Sequence, residues 1–492
     1  MHTKYASEIK RNFLGTHLSD FQISDIFPIQ LYKVRQMGTP QKLLCRQILL
    51  ADGWVSDVVL TIGGDGRILA IQEDAEGKSH LPEARGPVVP ALTNLHSHAF
   101  QRAMAGLAEI AGSTEDSFWT WREAMYRLVG RMSPDEIEIV ASKLYSELLK
   151  GGFGHVVEFH YLHHAIGGRR YANVSETSLR ILRAAQTAGI GLTHLPVFYA
   201  HAGFGGVQPS EGQRPFLHDA DQFLNLLDML KPACAATGAR LGLAIHSLRA
   251  ATPDEMRAVL ASEQTGGPIH IHVAEQEREV EDCLAWSGRR PVEFLLDEMP
   301  VDQRWCAIHA THMTADETAR LARSGAVAGL CPATEANLGD GIFPATDFVG
   351  LGGTFGIGTD SHVATTVAEE LRLLEYGQRL RDRRRNRLAA GPGTSVARTL
   401  FDAALKGGAQ AAGIGNAGIR VGARADLVVL DGNNPFIGTA SGDQILGRWL
   451  FATGAEAVRD VMAAGEWVVR DGRHKDEEAI DRAFRDVLLK LA

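Results

Sequence analysis

Short apolar runs rich in β-branched residues alternate along this chain with longer segments whose apolar residues recur at helical spacing. Asp135–Lys150 and Ala220–Leu230 are two such helical segments. Eight runs are predicted to be buried strands: Val88–His98, His155–His163, Gly191–Ala200, Arg240–Arg249, Pro268–Glu275, Trp305–His312, Ala326–Glu335 and Phe355–His362. Eight buried strands that alternate with helices predict an α/β fold, a (β/α)8 TIM-like barrel.

Both ends of the chain carry a different pattern, of short strands separated by glycine turns. Lys42–Gln72 contains a hairpin turn at Gly63–Gly66, and similar strand signals return at Ala425–Leu430 and at residues 461–469. We expect these two β-rich ends to pair into one small β-sandwich domain beside the inserted barrel.

The pattern predicts five segments. Residues 1–40 show no clear periodicity and are interpreted as a flexible N-terminal extension, or, for residues 1–36, as an over-long start-site assignment. The other segments are the first part of the β-sandwich domain at 41–87, the barrel at 88–417, the second part of the β-sandwich domain at 418–475 and a C-terminal helix at 476–492.

Polar residues crowd the predicted C-terminal ends of the barrel strands, where core-facing positions are normally apolar. They are His96, His98, Glu158, His160, Tyr161, His246, Arg249, His272, Glu275, His309, Glu335 and Asp360. In barrels of this type the active site lies at that end of the strands. We therefore expect these side chains to surround one site.

Three histidines and an aspartate in this set are candidate metal ligands. His96 and His98 are two positions apart on one strand, so their rings face the same side. His272 ends the fifth strand and Asp360 the eighth, and this ligand set suits zinc with a place left for water. The fourth strand, Arg240–Arg249, has no lysine to bridge two ions, so one metal is expected. The alternative is a polar barrel rim without metal.

Such a metal predicts hydrolytic chemistry. Zinc lowers the pKa of its bound water to near 7, which supplies hydroxide at neutral pH. Asp360 can ligate the ion and accept a hydrogen bond from the water, and His309 can orient the hydroxide or stabilise developing charge. Glu275, three residues after His272, can pass the water proton to a leaving nitrogen. The alternative for Glu275 is a rim salt bridge.

Composition narrows the class of protein. The 492 residues are 45% hydrophobic and 22% charged, as in an ordinary globular protein. The net charge of −9 argues against a nucleic-acid partner, and we find no apolar stretch long enough to span a membrane. The five scattered cysteines favour a reducing compartment. We expect a cytoplasmic protein with a small-molecule substrate.

Four motifs identify a family. They are Asn94–Leu107, which contains the His-Ser-His pair, Glu158–His164, His272–Gln276 and Cys331–Gly341. With these motifs the chain resembles the mononuclear deaminase branch of the amidohydrolase superfamily. Within that branch it resembles the enzymes that act on N-formimidoyl-L-glutamate in histidine degradation. The resemblance covers about residues 42 to 475.

The resemblance implies hydrolysis of N-formimidoyl-L-glutamate to N-formyl-L-glutamate and ammonia by a homodimer with one zinc ion per subunit, iron being the other possible metal. It implies that Glu275 and His309 are catalytic. It implies that the zinc is held by His96, His98, His272 and Asp360. It implies a substrate pocket of Gln101, Arg122, Tyr161, His246 and Arg249.

The chemistry of that substrate fits two of the implied residues. It carries two carboxylates, and guanidinium groups bind carboxylates in a bidentate fork, so Arg122 and Arg249 are candidate clamps. Two alternatives stay open. One is a deaminase for another amidine or an aminated heterocycle, which would favour aromatic stacking over cationic clamps. The other is a non-catalytic barrel that serves as an interaction scaffold.

Overall fold

The computed structural model describes residues 39–73, 80–110, 118–415 and 417–491. The predicted N-terminal extension, apart from its last two residues, lies outside these ranges. The strands, in chain order, are β1 Gln41–Leu50, β2 Gly53–Ile62, β3 Ile68–Gln72, β4 Val88–Pro90, β5 Leu92–Ser97, β6 Phe153–His160, β7 Gly191–Phe198, β8 Arg240–Leu241, β9 Leu243–Ser247, β10 Ile269–Val273, β11 Trp305–His309, β12 Val327–Leu330, β13 Thr354–Ile357, β14 Leu427–Leu430, β15 Val458–Ala463, β16 Glu466–Arg470 and β17 Arg473–His474.

The α-helices alternate with the barrel strands and also follow the last of them. Their bounds are Phe118–Val129, Pro134–Lys150, Glu176–Ala188, Ala220–Thr237, Pro253–Ser262, Glu277–Ser287, Pro291–Glu298, Ala315–Ser324, Pro332–Leu338, Ala345–Gly350, Val367–Asp382, Val396–Ala411, Pro435–Gly438, Gln444–Arg448 and Glu477–Leu491. Several begin with a capping box, as at Thr252, whose backbone N–H donates to the Glu255 carboxylate at 2.8 Å. Within the described ranges, no helix has the length and apolar character needed to cross a membrane.

The predicted parallel barrel is confirmed. Its strands follow in the order β5, β6, β7, β9, β10, β11, β12 and β13, with the short β8 paired beside β7. Every position of β6 and β7 is buried, as expected for parallel strands covered by helices outside and packed side chains inside.

The barrel closes where β13 returns to β5. The backbone N–H of Asp360 donates to the carbonyl of His96 at 3.0 Å, and the N–H of His98 donates to the carbonyl of Asp360 at 3.2 Å. These bonds form a parallel bridge between Ser97 and Asp360. The seam of the barrel is therefore built by the predicted metal-ligating segments.

Strands from both ends of the chain form the second sheet, in the order β17, β16, β15, β14, β4, β1, β2 and β3. Its pairs are antiparallel except for the parallel contact of β1 with β4. At the β3 edge, Ile68 donates its N–H to the carbonyl of Ala423 at 2.9 Å, so the sheet curls back towards β14. Leu60, Val429 and Met462 share one apolar core inside it.

The predicted strand Val88–His98 is divided between the two sheets. Its first part, β4, pairs with β1 and β14, and its second part, β5, pairs with β6. The change of partner is sharp, because Ala91 donates its N–H to Asp426 and the next residue, Leu92, donates to Gly152. The sequence prediction missed this division, because an apolar run does not show with which of two adjacent sheets its residues pair.

We expect Gly358→Ala to destabilise the protein. A Cβ at this position would lie 2.7 Å from the Cβ and 2.9 Å from the backbone nitrogen of His96, so the seam would have to open. Overpacking of this kind costs about 1–3 kcal/mol of the free energy of unfolding. Chemical denaturation followed by circular dichroism measures it. Gly447→Ala is the control, because its Cβ meets no atom within 4 Å; equal stability of the two variants would contradict the close contact at the seam.

Candidate active site

The four predicted metal ligands converge at the seam. The Nε2 atoms of His96 and His272 are 3.0 Å apart, and Asp360 Oδ1 lies 3.5 Å from His96 Nε2 and 3.3 Å from His98 Nε2. Tetrahedral zinc with Zn–N bonds of roughly 2.0–2.1 Å would separate two ligand nitrogens by about 3.3 Å. All four residues are at least nine-tenths buried. The spacing therefore matches a set of donors around one small cation.

The hydrogen bonds of two histidine rings, His98 and His272, show which of their nitrogens carries the proton. His98 Nδ1 lies 2.9 Å from the carbonyl of Phe159, and His272 Nδ1 lies 3.0 Å from the carbonyl of His246. A carbonyl only accepts, so each Nδ1 carries the proton and each Nε2 presents a lone pair. The Nε2 lone pair of His98 faces the carboxylate of Asp360, an arrangement that is repulsive without a cation between them. The donor set therefore fits a bound metal ion.

Backbone strain is concentrated at this end of the barrel. Asp360 has a φ of +48°, His309 of +68° and Ala274 of +51°, and His362 in the seam loop has a φ of +63°. Non-glycine residues avoid this left-handed region unless the surrounding structure holds them there, and such strain is typical of functional sites. The strained positions turn the polar side chains over the mouth of the barrel instead of into its apolar core.

His309 lies among three carboxylates. Its Nδ1 is 3.2 Å from Glu335 Oε1, and its Nε2 is 3.8 Å from Glu275 Oε1 and 3.6 Å from Asp360 Oδ2. Burial opposes protonation of the ring, but the charges of Glu275, Glu335 and Asp360 raise the pKa of His309. Burial raises the pKa of Glu275, against the opposing effects of His309 and Arg249. A carboxyl group with a raised pKa can both accept and release a proton.

Glu335 was predicted to end a strand, but it lies on the helix Pro332–Leu338 that follows β12. Its carboxylate also accepts the backbone N–H of Cys331 at 2.9 Å. The predicted strand Ala326–Glu335 is shorter because β12 ends at Leu330 and the proline after Cys331 begins a helix.

Glu158 supports the seam from the neighbouring strand. Its fully buried carboxylate accepts hydrogen bonds from Ser97 Oγ at 2.5 Å, from the backbone N–H of Ala99 at 2.7 Å and from the Tyr145 hydroxyl at 3.0 Å. Burial raises the pKa of Glu158 to about 7. Glu158 was predicted at a strand end, but its role as the anchor of the loop after the His-Ser-His pair was not.

Asn94 and Thr359 tie the two sides of the seam together. The side chain of Asn94 donates to Thr359 Oγ1 at 2.7 Å and accepts the N–H of Thr359 at 3.0 Å. The Thr359 hydroxyl is in turn 2.8 Å from His362 Nδ1. Sequence reasoning missed these residues as functional, although Asn94 stands in the first motif, because only the closed barrel brings them together.

A cleft opens beside the ligand cluster. The predicted residues that line it are His98, Gln101, Arg122, Tyr161, His246, Arg249, His272, Glu275, His309 and Asp360. His96, the remaining predicted ligand, is fully buried next to His272. Aromatic residues that were not predicted complete the wall: Phe118, Trp121, Tyr126, Tyr199 and Phe216. The residues predicted to bind the metal, to bind substrate or to be catalytic therefore meet at one place. His160, which was predicted at the same site, does not line the cleft, and its Nε2 lies 3.1 Å from Thr177 Oγ1.

Two arginines line this cleft, and each has a donor nitrogen that makes no hydrogen bond to the described residues. Arg122, on the helix Phe118–Val129, stacks its guanidinium 4.5 Å from the ring centroid of Trp119, and Arg249 lies 5.7 Å from the same centroid. The Nε atoms of both arginines are buried and have no hydrogen-bond partner in the described part of the chain. Buried cationic donors of this kind suit an anionic ligand.

The other predicted pocket residues are polar and already partly organised. Gln101 Nε2 donates to the hydroxyl of Tyr161 at 2.9 Å, while Gln101 Oε1 is buried without a partner among the described residues. His246 packs edge-on against Tyr199 with ring centroids 4.5 Å apart. Burial and the nearby Arg249 lower the pKa of His246 well below its usual range.

Comparison with known proteins identifies the class. Residues 88–468 match the model of the amidohydrolase family, so the chain belongs to that family. A crystal structure of an amidohydrolase from Brucella melitensis superposes with a TM-score of 0.88 at 50% identity, and the match covers 92% of this chain and 99% of that one. An adenosine deaminase from Xanthomonas campestris with bound zinc has the same fold, with a TM-score of 0.75 at 20% identity over 92% of this chain and 98% of its own.

Two curated relatives are a deiminase and a deaminase. The formimidoylglutamate deiminase of Pseudomonas aeruginosa is 58% identical over 451 residues, which cover 91% of this chain and 99% of the relative. A 5-methylthioadenosine/S-adenosylhomocysteine deaminase of Natronomonas pharaonis is 29% identical over 417 residues, covering 84% of this chain and 88% of the relative.

We expect Glu158→Gln to lower the free energy of unfolding by about 1–3 kcal/mol, because the amide would leave at least one buried donor without an acceptor. Tyr145→Phe removes only one of the three hydrogen bonds, so we expect a smaller loss. Thermal unfolding of both variants beside the parent chain measures the difference. A Glu158→Gln variant as stable as the parent chain would show that this carboxylate does not anchor the seam.

Proposed function

We propose that this chain catalyses the hydrolytic deamination of N-formimidoyl-L-glutamate to N-formyl-L-glutamate and ammonia, a step of histidine degradation. The observation that carries the proposal is the 58% identity to a formimidoylglutamate deiminase along 99% of that relative. The geometry supports it, because a candidate metal cluster, a buried acid–base pair and two arginines open into one cleft.

The proposal places one zinc ion per subunit on His96, His98, His272 and Asp360, with ferrous iron as an alternative that the same ligands accept. The converging Nε2 atoms and the Asp360 carboxylate support this placement. When bound, the metal supplies a water molecule whose pKa is lowered towards neutrality. The carbonyls of Phe159 and His246 keep two of the rings in the tautomer that such binding needs.

Three side chains have proposed roles in the bond changes. In the reaction, a C–O bond forms between water and the amidine carbon, and the C–N bond to the terminal nitrogen breaks. Asp360 orients the water, and Glu275 passes the two protons of this water in turn to the departing nitrogen, which leaves as ammonia while the C=O bond of the formyl group forms. His309, held by Glu335 at 3.2 Å, stabilises the charge that develops on the adduct.

The substrate-binding residues follow from the charges of the substrate. Arg122 and Arg249 supply the cationic donors for its two carboxylates, and both guanidiniums are stacked near Trp119, which limits their motion. Gln101, Tyr161 and His246 provide hydrogen bonds to the amidine or to a carboxylate. Gln101 Oε1, which has no partner in the described part of the chain, supports a donor group on the ligand, such as an amidine N–H.

The alternatives have less support. A deaminase for another amidine or an aminated heterocycle shares the chemistry, but its curated relatives are more distant, at 29% identity for the Natronomonas pharaonis enzyme. Two arginines whose buried Nε atoms have no hydrogen-bond partner among the described residues fit a flat neutral ring less well than a dianion. A scaffold without activity does not account for the ligand set and acid–base pair that converge in the cleft.

The remaining parts of the proposal concern the cellular context. We infer a homodimeric protein of the cytoplasm, without a nucleic-acid or membrane partner. The net charge of −9 supports the lack of a nucleic-acid partner, and the five free cysteines support a reducing compartment.

Zinc-loaded protein should release ammonia from N-formimidoyl-L-glutamate, and Glu275→Gln should lower kcat by about 10²–10⁴-fold because proton transfer to the leaving nitrogen is lost. A coupled ammonia assay with metal-replete samples measures both. Glu277→Gln, two residues further on an exposed position, is the control and should retain the parent rate. No ammonia from folded, metal-bound parent chain would refute the substrate assignment, and full activity of Glu275→Gln would refute the proton shuttle.

Arg249→Met and Arg122→Met should each raise KM for N-formimidoyl-L-glutamate by about 10–100-fold, since each removes a charge-assisted pair with a substrate carboxylate. Steady-state kinetics at fixed metal content provide the values. Arg278→Met is a matched control: Arg278 also contacts Trp119, at 4.9 Å, but 65% of its side chain is exposed. Equal KM values for all three variants would contradict the proposed clamps.

A further inference from the structure

A buried carboxylate without an assigned role contacts two residues that line the cleft, Glu275 and Arg249. Glu279 stands in the first turn of the helix Glu277–Ser287 and is fully buried, whereas the neighbouring Glu277 and Glu281 are exposed. Burying a carboxylate is costly unless it is paired and hydrogen-bonded, so its partners indicate what it does.

One set of partners is the turn that carries Glu275. Glu279 Oε1 accepts the backbone N–H of Ala274 at 3.0 Å, and Oε2 accepts the N–H of Glu275 at 3.2 Å. Ala274 holds a φ of +51°, a conformation that persists only where neighbouring groups enforce it. The two hydrogen bonds fix the peptide on each side of the strained residue, and with it the direction in which the Glu275 side chain leaves the backbone.

The other partner is the guanidinium of Arg249. Its Nη2 lies 3.8 Å from Glu279 Oε2, and no closer carboxylate contact to Arg249 is present in the described ranges. Arg249 is itself only 8% exposed, so an opposite charge behind it is needed to keep it in the wall of the cleft. Arg249 lines the cleft and Glu279 does not, and the buried Nε of Arg249 has no hydrogen-bond partner among the described residues.

We propose that Glu279 is a positioning residue that fixes the proton shuttle Glu275 and the carboxylate clamp Arg249 relative to each other. A single carboxylate joins the two, so the reacting amidine and the substrate carboxylate are placed relative to each other by one rigid group. The inference rests on the proposed function for the substrate, but the contacts themselves are independent of it.

A glutamine at this position could not replace the glutamate. Both carboxylate oxygens accept, one from each N–H of the turn, whereas an amide would direct an NH2 group at one of those donors. The amide also lacks the charge that faces Arg249. Glu279→Gln therefore changes the hydrogen bonds and the charge while the side chain keeps its volume.

The test compares Glu279→Gln with Glu281→Gln, an exposed glutamate on the same helix, in full-length, metal-replete protein. We expect Glu279→Gln to lower kcat by about 10–100-fold and to raise KM, with metal content per folded chain unchanged. In an Arg249→Met background the effect of Glu279→Gln on KM should disappear and its effect on kcat should remain. Kinetic constants that match those of Glu281→Gln would overturn the inference.

Hydrogen–deuterium exchange separates this inference from the proposed function, because it needs no substrate. The peptide that contains Ala274 and Glu275 should exchange faster in Glu279→Gln than in the parent chain or in Glu281→Gln. If the parent chain releases no ammonia, the proposed function fails while faster exchange still supports the role of Glu279 in the turn. Unchanged exchange at this turn would overturn that role even if the parent chain is active.

Discussion

The hydrogen bonds that join the first and last barrel strands are the constraint on which the site depends. The N–H of Asp360 reaches the carbonyl of His96 at 3.0 Å, and Gly358 allows the approach because it has no Cβ. The two joined segments place the carboxylate of Asp360 within 3.5 Å of the Nε2 atoms of His96 and His98. Closing the barrel and assembling the candidate metal centre are therefore one structural event, and the positive φ at Asp360 is held by that closure.

Three buried carboxylates hold the polar residues of the site in place. Glu158 and Glu279 each accept a backbone N–H from the segment that follows a predicted metal-ligating histidine, whereas Glu335 accepts the N–H of Cys331 at the start of its own helix and lies 3.2 Å from His309. Each comes from a different element, so the mouth of the barrel is fixed from several sides. Because these acceptors are buried, their hydrogen bonds are hardly weakened by water, and the strained turns they hold can persist.

The sequence allowed the barrel, the pairing of the two β-rich ends of the chain and the convergence of the candidate ligand residues to be predicted, because apolar runs and motif spacing are local signals. His96 and His98 share a face by strand geometry alone. The supporting contacts could not be predicted: Glu279 looks like the exposed Glu277 and Glu281 in the sequence, and only packing separates them. The division of the run at Ala91 was missed for the same reason, since the choice of sheet depends on partners distant in sequence.

The central claim is that the seam holds a single metal ion that faces the cleft. Anomalous diffraction at the zinc edge, from crystals of zinc-loaded full-length protein, tests it most directly. The account predicts one peak per chain, bonded to the Nε2 atoms of His96, His98 and His272 and to the Asp360 carboxylate. A fully occupied second peak at the site, or a peak that leaves these four residues uncoordinated, would contradict it.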